Sequence, residues 1–386
     1  SLTIHNTINY SRGFSSMEDK IQQARRNNAG SVPQSNQKTH DIDDELEQLI
    51  EQRKAEIKVV GTGGAGNNTI SRLVEVGIEG CETIAMNTDA QDLLYANADK
   101  KVLIGKELTG GLGAGADPKV GEESAKESQQ KVKETIDGAD MVFVTCGLGG
   151  GTGTGSAPQI AQQAKKEGAL TVGIVTLPFE MEGQSRQENA EYGLEMLEDT
   201  VDTLIVIPND KLLEIVPDVS LNTAFKIADE ILVNAVKGVT ELVTKPGLVN
   251  LDFADIRAVM GEGGIAMIGM GQSDTDSRAT EAVQKALSNP LLDVQIDGGK
   301  GALVNVTGGT GLSLNEAQEV VNTVSGKLSN SAKVIWGAQV RDDMDDMLQS
   351  MIIVTGVDSP QIYGPEKTHS DEYEEEIEKE LGVEFI

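Results

Sequence analysis

The chain has 386 residues, with 62 Asp and Glu against 32 Lys and Arg, for a formal net charge of −30. That balance excludes nucleic acid as a primary ligand and electrostatic docking on an anionic leaflet, both of which need a positive footprint. An apolar fraction of 38% supports a sizeable core, and the length sets a prior of two domains or one large one. Residues 1–40, rich in Asn, Ser and Gln, carry five basic and two acidic residues and read as a flexible, slightly basic arm. Ile42, Leu46, Leu49 and Ile50 recur at helical spacing and predict an amphipathic helix over 41–55 that packs on the core.

From Glu56 strand and helix patterns alternate. Ile57–Val60, Thr83–Met86, Met141–Thr145, Leu170–Leu177 and Thr203–Ile207 read as strands, and Asn67–Val76, Glu122–Ile136, Ala157–Glu167 and Ser185–Glu198 as helices. This alternation predicts a Rossmann-type, doubly wound parallel α/β sheet over 56–220, with ligands at the carboxyl ends of its strands. Leu221–Thr244 is a long helical pattern leading to Asn250–Met260. Strands at Gly264–Gly271, Ala302–Thr307, Lys333–Ala338 and Met351–Val357, with helices Ala279–Leu287 and Leu314–Leu328, predict a second α+β domain over 245–365 hung on the central helix 221–244. Residues 366–386 hold nine acids and two lysines and finish in the apolar 381–386, an acidic tail whose end suits a linear docking peptide.

Cys81 and Cys146 form no CxxC pair, which fits a reduced cytosolic chain, and His5, His40 and His369 lie near the ends. Neither a histidine general base nor a protein-built metal centre is expected. No apolar run reaches the length of a spanning helix and no signal peptide is visible, so a cytoplasmic chain without membrane insertion is expected.

The 43 glycines exceed the usual share and gather in clusters. Gly61-Thr62-Gly63-Gly64-Ala65-Gly66 follows a predicted strand and opens a helix, which by itself is a dinucleotide fingerprint and keeps an NAD-dependent oxidoreductase as an alternative. Gly149-Gly150-Gly151-Thr152-Gly153-Thr154-Gly155 repeats that placement after another strand, and Gly110–Gly115 adds a loop able to close over a terminal phosphate. Several bare-backbone loops converging on one crevice suit a nucleoside triphosphate better than NAD.

These clusters belong to an ordered set: GTGGAGNN, NTDAQ, GAGADP, GGGTGTG, PFEMEGQSR, IPND and NLDFAD, with IWGA and IIVTGV behind them. Over about 56–365 the chain resembles the tubulin/FtsZ family, specifically the archaeal FtsZ-like division GTPases, although Asp117 stands where many members carry Asn. The resemblance implies a tubulin-like fold and a GTP/GDP site. The nucleotide would be held by Gly64, Ala65, Gly66, Asn67, Asn68, Asn87, Gly113, Ala114, Gly115, Gly150, Gly151, Thr152, Gly153, Thr154 and Gly155, with its phosphates on the backbone amides of Gly64–Asn68 and Gly151–Gly153. The ribose would meet Glu182 and Arg186, and the base Asn209, Phe225 and Asp229. A carboxylate at 229 would accept from N1–H and N2–H2 of guanine, whereas adenine presents an acceptor at N1.

The resemblance also implies that hydrolysis is completed by the next subunit, with Asp252 and Asp255 orienting water, Asn250 approaching the phosphates and Mg2+ on the β and γ oxygens. Read locally, the same acids are residues favoured at a helix start. The implied partners are further copies in a head-to-tail polymer and a membrane-anchoring adaptor on 381–386, with the protein at the mid-cell division ring. A tubulin-like cell-shape GTPase is the remaining alternative.

Overall fold

The computed structural model describes residues 55–357, apart from 216–219, 246, 250, 262, 293–295, 297–298 and 330. The arm 1–40, the helix expected over 41–55 save its last residue, Asn250, and the tail 366–386 with its end peptide lie outside the described residues.

Among the described residues ten strands form one sheet: β1 Ile57–Thr62, β2 Cys81–Asn87, β3 Lys100–Leu103, β4 Met141–Gly147, β5 Leu170–Leu177, β6 Thr203–Pro208, β7 Gly264–Ser273, β8 Gly301–Gly308, β9 Lys333–Val340 and β10 Leu348–Thr355. Their order is β3-β2-β1-β4-β5-β6-β7-β10-β8-β9, parallel throughout except for β10, which runs antiparallel to both neighbours. The helices are α1 Gly63–Glu75, α2 Ala90–Tyr95, α3 Lys106–Thr109, α4 Pro118–Glu127, α5 Gln129–Ile136, α6 Thr152–Lys166, α7 Gln184–Glu198, α8 Asn209–Ile215, α9 Leu221–Thr244, α10 Phe253–Met260, α11 Arg278–Leu287 and α12 Leu314–Ser325. The order β3-β2-β1-β4-β5-β6 is that of a doubly wound nucleotide-binding sheet, and its topological switch lies between β1 and β4.

Alternation along the strands divides the core between the two faces of the sheet. Val60, Val142 and Val144 face a cluster that includes Ile160 and Ala161 of α6 and Leu194 of α7. Val59, Phe143 and Val172 face the other side, with Ile70 of α1, Leu232 and Val236 of α9, and Ile256 of α10. Helix α9, 24 residues long, rises about 36 Å. Its start is capped by Ser220, whose hydroxyl accepts the Thr223 N–H. Near its end Leu242 closes on Gly337 of β9, and Thr244 on Gly80 ahead of β2.

Most predicted elements appear, and β5 and α9 keep their predicted bounds. The differences have local causes. β3 is a four-residue edge strand with two lysines, a composition that hides a strand but protects an edge. The helix predicted over 122–136 is two, broken at Ser128, because that hydroxyl accepts the Gly105 N–H at 3.0 Å. The first two glycine clusters lie mostly inside helices, since α1 starts at Gly63 and α6 at Thr152. A Cβ on Gly155 would sit 1.8 Å from the Pro118 carbonyl oxygen, so this glycine is what lets α6 lie against α4. Gly155→Ala should therefore destabilise the protein by about 1–3 kcal/mol through overpacking, read as a lower denaturation midpoint in chemical unfolding.

Candidate functional site

A cleft of about 380 Å3 opens at the carboxyl edge of the sheet, at the switch between β1 and β4. The corner from β1 into α1 contributes Thr62, Gly63, Gly64 and Ala65, and the corner from β4 into α6 contributes Gly147, Leu148, Gly150, Gly151, Thr152 and Gly153. Thr176 and Pro178 follow from β5, Glu182 and Arg186 from the next connection and α7, Asn209 from the end of β6, and Phe225, Ala228 and Asp229 from α9. Ala116 enters from the loop between α3 and α4.

Two long helices aim their amino ends at this cleft without capping themselves. Neither α1 nor α6 has a side-chain cap or an acid in its first turn. Helices α2, α4, α9, α10 and α12 are capped by Asp89, Asp117, Ser220, Asp252 and Ser313, whereas α3, α5, α7 and α11, like α1 and α6, carry no side-chain cap. Thr62 stands at the N-cap of α1, but its hydroxyl pairs with that of Ser156 at 2.6 Å, which takes it away from the helix amides. Free first-turn N–H groups and two aligned helix dipoles make this end of the cleft an anion site. At the other end Asn209 lines the cleft, 4% exposed, with its Oδ1 buried and without a hydrogen-bond partner. Burial pushes the Asp229 carboxyl up to about 6, against a smaller opposing pull from Arg72. Phe225 is partly exposed, with its ring 5.2 Å from that of Phe179 at an interplanar angle of 82°. Glu182 arrives already held, accepting from the Phe179 N–H at 2.9 Å and from Arg186 at 3.1 Å.

The cleft thus gathers Gly64, Ala65, Gly150, Gly151, Thr152, Gly153, Glu182, Arg186, Asn209, Phe225 and Asp229 of the residues singled out from sequence. The other nucleotide candidates do not line it. Gly66 lies against the Thr145 carbonyl, where a Cβ would approach to 2.6 Å. Asn67 and Asn87 are buried and both donate to the Asp92 carboxylate, at 3.1 and 2.6 Å, while Asn68 is exposed outside the lining. The Thr154 hydroxyl accepts the Gly149 N–H at 3.0 Å, and Gly155 packs on α4. Gly113, Ala114 and Gly115 belong to the loop whose Ala116 does reach the cleft.

Thr62, Gly63, Ala116, Gly147, Leu148, Thr176, Pro178 and Ala228 line the cleft without having been singled out as site residues. Pro178 ends a predicted strand at the ligand edge, and Ala228 lies three residues after Phe225 on one helix; both signals were readable. Ala116 is held at φ 61°, a conformation its sequence does not announce.

Asp252 and Asp255 are exposed, and they are not in the cleft. Asp252 caps α10 by accepting the Asp255 N–H at 2.8 Å. On the same helix Arg257 donates to the carbonyls of Asp140 and Gly168, both at 3.4 Å, which stand just ahead of β4 and β5. Helix α10 therefore lies at the amino edge of the sheet. Strands β4 and β5, of seven and eight residues, span roughly 23–27 Å between that edge and the cleft.

The model for the GTPase domain of the tubulin/FtsZ family matches residues 56–217, and the model for the C-terminal domain of the FtsZ family matches 264–358. Cell division protein FtsZ 1 of Thermococcus kodakarensis is 57% identical over 360 residues, covering 93% of this chain and 96% of that protein. Cell division protein FtsZ of Methanothermobacter thermautotrophicus is 54% identical over 348 residues, 90% of this chain and 91% of that protein. Among solved structures, the empty FtsZ dimer of Methanocaldococcus jannaschii shares 59% identity at a TM-score of 0.79, covering 82% of this chain and 92% of that one. The GDP-bound CetZ1 monomer of Haloferax volcanii shares 26% at a TM-score of 0.72, covering 82% and 99%. Neither the oxidoreductase nor the cell-shape alternative is favoured by these matches. A GTPase-domain match over the cleft-bearing half, a C-terminal-domain match over the other, and relatives above half identity along nearly the whole length show that the chain belongs to the tubulin/FtsZ family, in its FtsZ branch of polymerising cell-division GTPases.

Proposed function

We propose that the chain holds GTP in the carboxyl-edge cleft and hydrolyses it with acids brought by the amino edge of a second copy. One observation carries this reading: the cleft and the Asp252–Asp255 pair lie on opposite edges of one sheet, so a single chain cannot bring them together. The self-association of the family then becomes part of the chemistry. A head-to-tail contact does not close on itself and propagates as a filament. Exposed apolar side chains outside the lining, such as Leu112 at 87% and Met181 at 72%, are surface for a neighbour to cover.

Within this reading the free amides of α1 and α6, including those of Gly64, Ala65 and Gly151–Gly153, hold the phosphates. Glu182 and Arg186 meet the ribose. The unpaired Asn209 Oδ1 and the Asp229 carboxylate take guanine donors, and Phe225 stacks on the ring. Adenine would leave Asp229 facing an acceptor, a mismatch worth on the order of 1–3 kcal/mol. Asp252 and Asp255 orient the attacking water at the γ-phosphate of the neighbouring molecule; Asn250, outside the described residues, would approach the phosphates. Mg2+, held mainly by phosphate oxygens and water, would neutralise charge on the β and γ groups. The filament would work on the cytoplasmic face of the mid-cell ring, with an adaptor gripping 381–386, a segment also outside the described residues.

Two variants that fail for different reasons test the split site. Asp255→Ala keeps the cleft and should lose roughly 10²–10⁴ in kcat. Asp229→Ala keeps the acids and should lose guanine affinity. Mixed in equal amounts, they should recover up to about a quarter of wild-type turnover, the share of random head-to-tail contacts that pair an intact cleft with intact acids. A mixture no more active than its parts, with co-assembly verified by sedimentation, would refute the proposal.

The Asp229 carboxyl adds a pH test. With its folded-state value raised to about 6, the apoprotein holds this proton more tightly than the unfolded chain does. This group therefore costs the apoprotein stability as pH rises from about 4 to 6. Guanine needs the ionised form, so its affinity should be flat above pH 6 and fall by up to about tenfold per unit below it. Calorimetric titration of GDP at pH 5 and 7 reads this by comparison with Asp229→Asn, which should keep only the slope that the terminal phosphate of GDP, itself titrating near pH 6, contributes.

A further inference from the structure

Helix α7 turns one side-chain amide onto two loops at the phosphate end of the cleft. The Asn189 amide nitrogen donates to the carbonyl oxygen of Ala116 at 3.0 Å and to that of Gly149 at 3.3 Å. The first carbonyl belongs to the loop between α3 and α4, the second to the turn from β4 into α6. Both residues have positive φ, 61° at Ala116 and 101° at Gly149, and Ala116 is one of two non-glycine residues so placed among the described residues. A residue with a Cβ keeps that conformation only where its surroundings impose it. The Asn189 amide is such an imposition, at a residue that lines the cleft.

The neighbours of Asn189 on α7 extend the hold. Arg186, three residues earlier and on the same face, lines the cleft. The Tyr192 hydroxyl donates to Glu122 of α4 at 3.1 Å, and α4 follows the Ala116 loop directly. Gly193, four residues after Asn189, lets α7 close on α6, since a Cβ there would stand 2.5 Å from Thr154 Cγ2. One stripe of α7 thus touches the ribose end of the cleft, both phosphate-side loops and the helices that follow them. The trans peptide after Gly149 sends the Gly150 N–H away from Asn189, and Gly150 itself lines the cleft with open space where a Cβ would stand.

We propose that Asn189 is a positioning residue for the terminal phosphate: by holding the Ala116 and Gly149 carbonyls together, it sets the gap between the two loops that distinguishes GTP from GDP. The proposal rests on the GTP reading of the cleft and deepens it. Asn189 touches no nucleotide atom in this scheme; it acts through the two loops.

The test uses the full chain and three variants, Asn189→Ala, Asn189→Asp and Asn189→Gln, with GTP and GDP binding, kcat and the thermal midpoint measured for each. Loss of both bonds in Asn189→Ala should weaken GTP by roughly 5- to 30-fold while GDP stays within about twofold. Asn189→Asp, which points a carboxylate at two carbonyls, should be at least as severe. Asn189→Gln keeps the donors and should recover part of the GTP preference. A wild-type ratio of GTP to GDP affinity in both Asn189→Ala and Asn189→Asp would overturn the assignment. So would a parallel loss of both nucleotides that tracks a lowered midpoint, which is the signature of a merely structural residue. Asp229→Ala separates the two levels: unchanged GTP and GDP affinity there would sink the base-reading assignment, while the Asn189 ratio still decides the positioning role.

Discussion

The direction of the parallel strands governs everything else in this molecule. Because β1 to β6 run the same way, the helix after each strand begins at the same edge, and the amino ends of α1 and α6 converge there. Helix α9, about 36 Å long, places Phe225 and Asp229 at that edge and runs on to the opposite one, where the chain passes to α10 and its acids. Sheet polarity thus creates the anion site and also removes the acids from it. No loop rearrangement within the chain could undo a separation built into seven- and eight-residue strands.

The acidic body sharpens this picture. Residues 41–365 carry a net −26, yet the expected ligand is itself a polyanion. Among the described residues Arg186 is the sole cation in the cleft lining, half-exposed and already paired with Glu182. Attraction for phosphate must then come from backbone dipoles and first-turn amides, which act at short range and keep their strength where solvent is displaced. Leaving α1 and α6 uncapped sacrifices helix stability at those two ends, and diverting the Thr62 hydroxyl to Ser156 keeps the amides of α1 available.

Periodicity made the regular elements legible, and it did so best in β5, where burial is nearly continuous, and in α9, whose helical pattern runs longest. Features set by distant partners were not legible. Gly155 reads locally as a loop residue, but its reason is a carbonyl of α4 that only the fold brings near. Ser128 breaks a helix for the sake of the Gly105 N–H. At the site, the family resemblance pointed to Phe225 and Asp229 and their spacing on one helix allowed both to reach the cleft, whereas the asparagines of GTGGAGNN and NTDAQ do not line it. Asn67 and Asn87 bind Asp92, an acid that no motif marks as their partner. The role of Asn189 was hidden for the same reason, because an asparagine in mid-helix carries no signal until its two carbonyls are seen.

Asp252 shows why a local and a functional reading need not compete. Its carboxylate caps α10, which is reason enough for an aspartate at a helix start. The cap also fixes that carboxylate, through the Asp255 N–H at 2.8 Å, in one orientation relative to the rest of the helix. Arg257 of the same helix clamps α10 to the strand ends of β4 and β5. An acid held in this way is presented to a neighbour as a rigid feature of the subunit's lower edge, whereas an unheld one would lose side-chain freedom on every contact. In the proposed mechanism, the interaction that stabilises the helix is therefore also what would let the Asp252–Asp255 pair orient water from outside the chain that carries it.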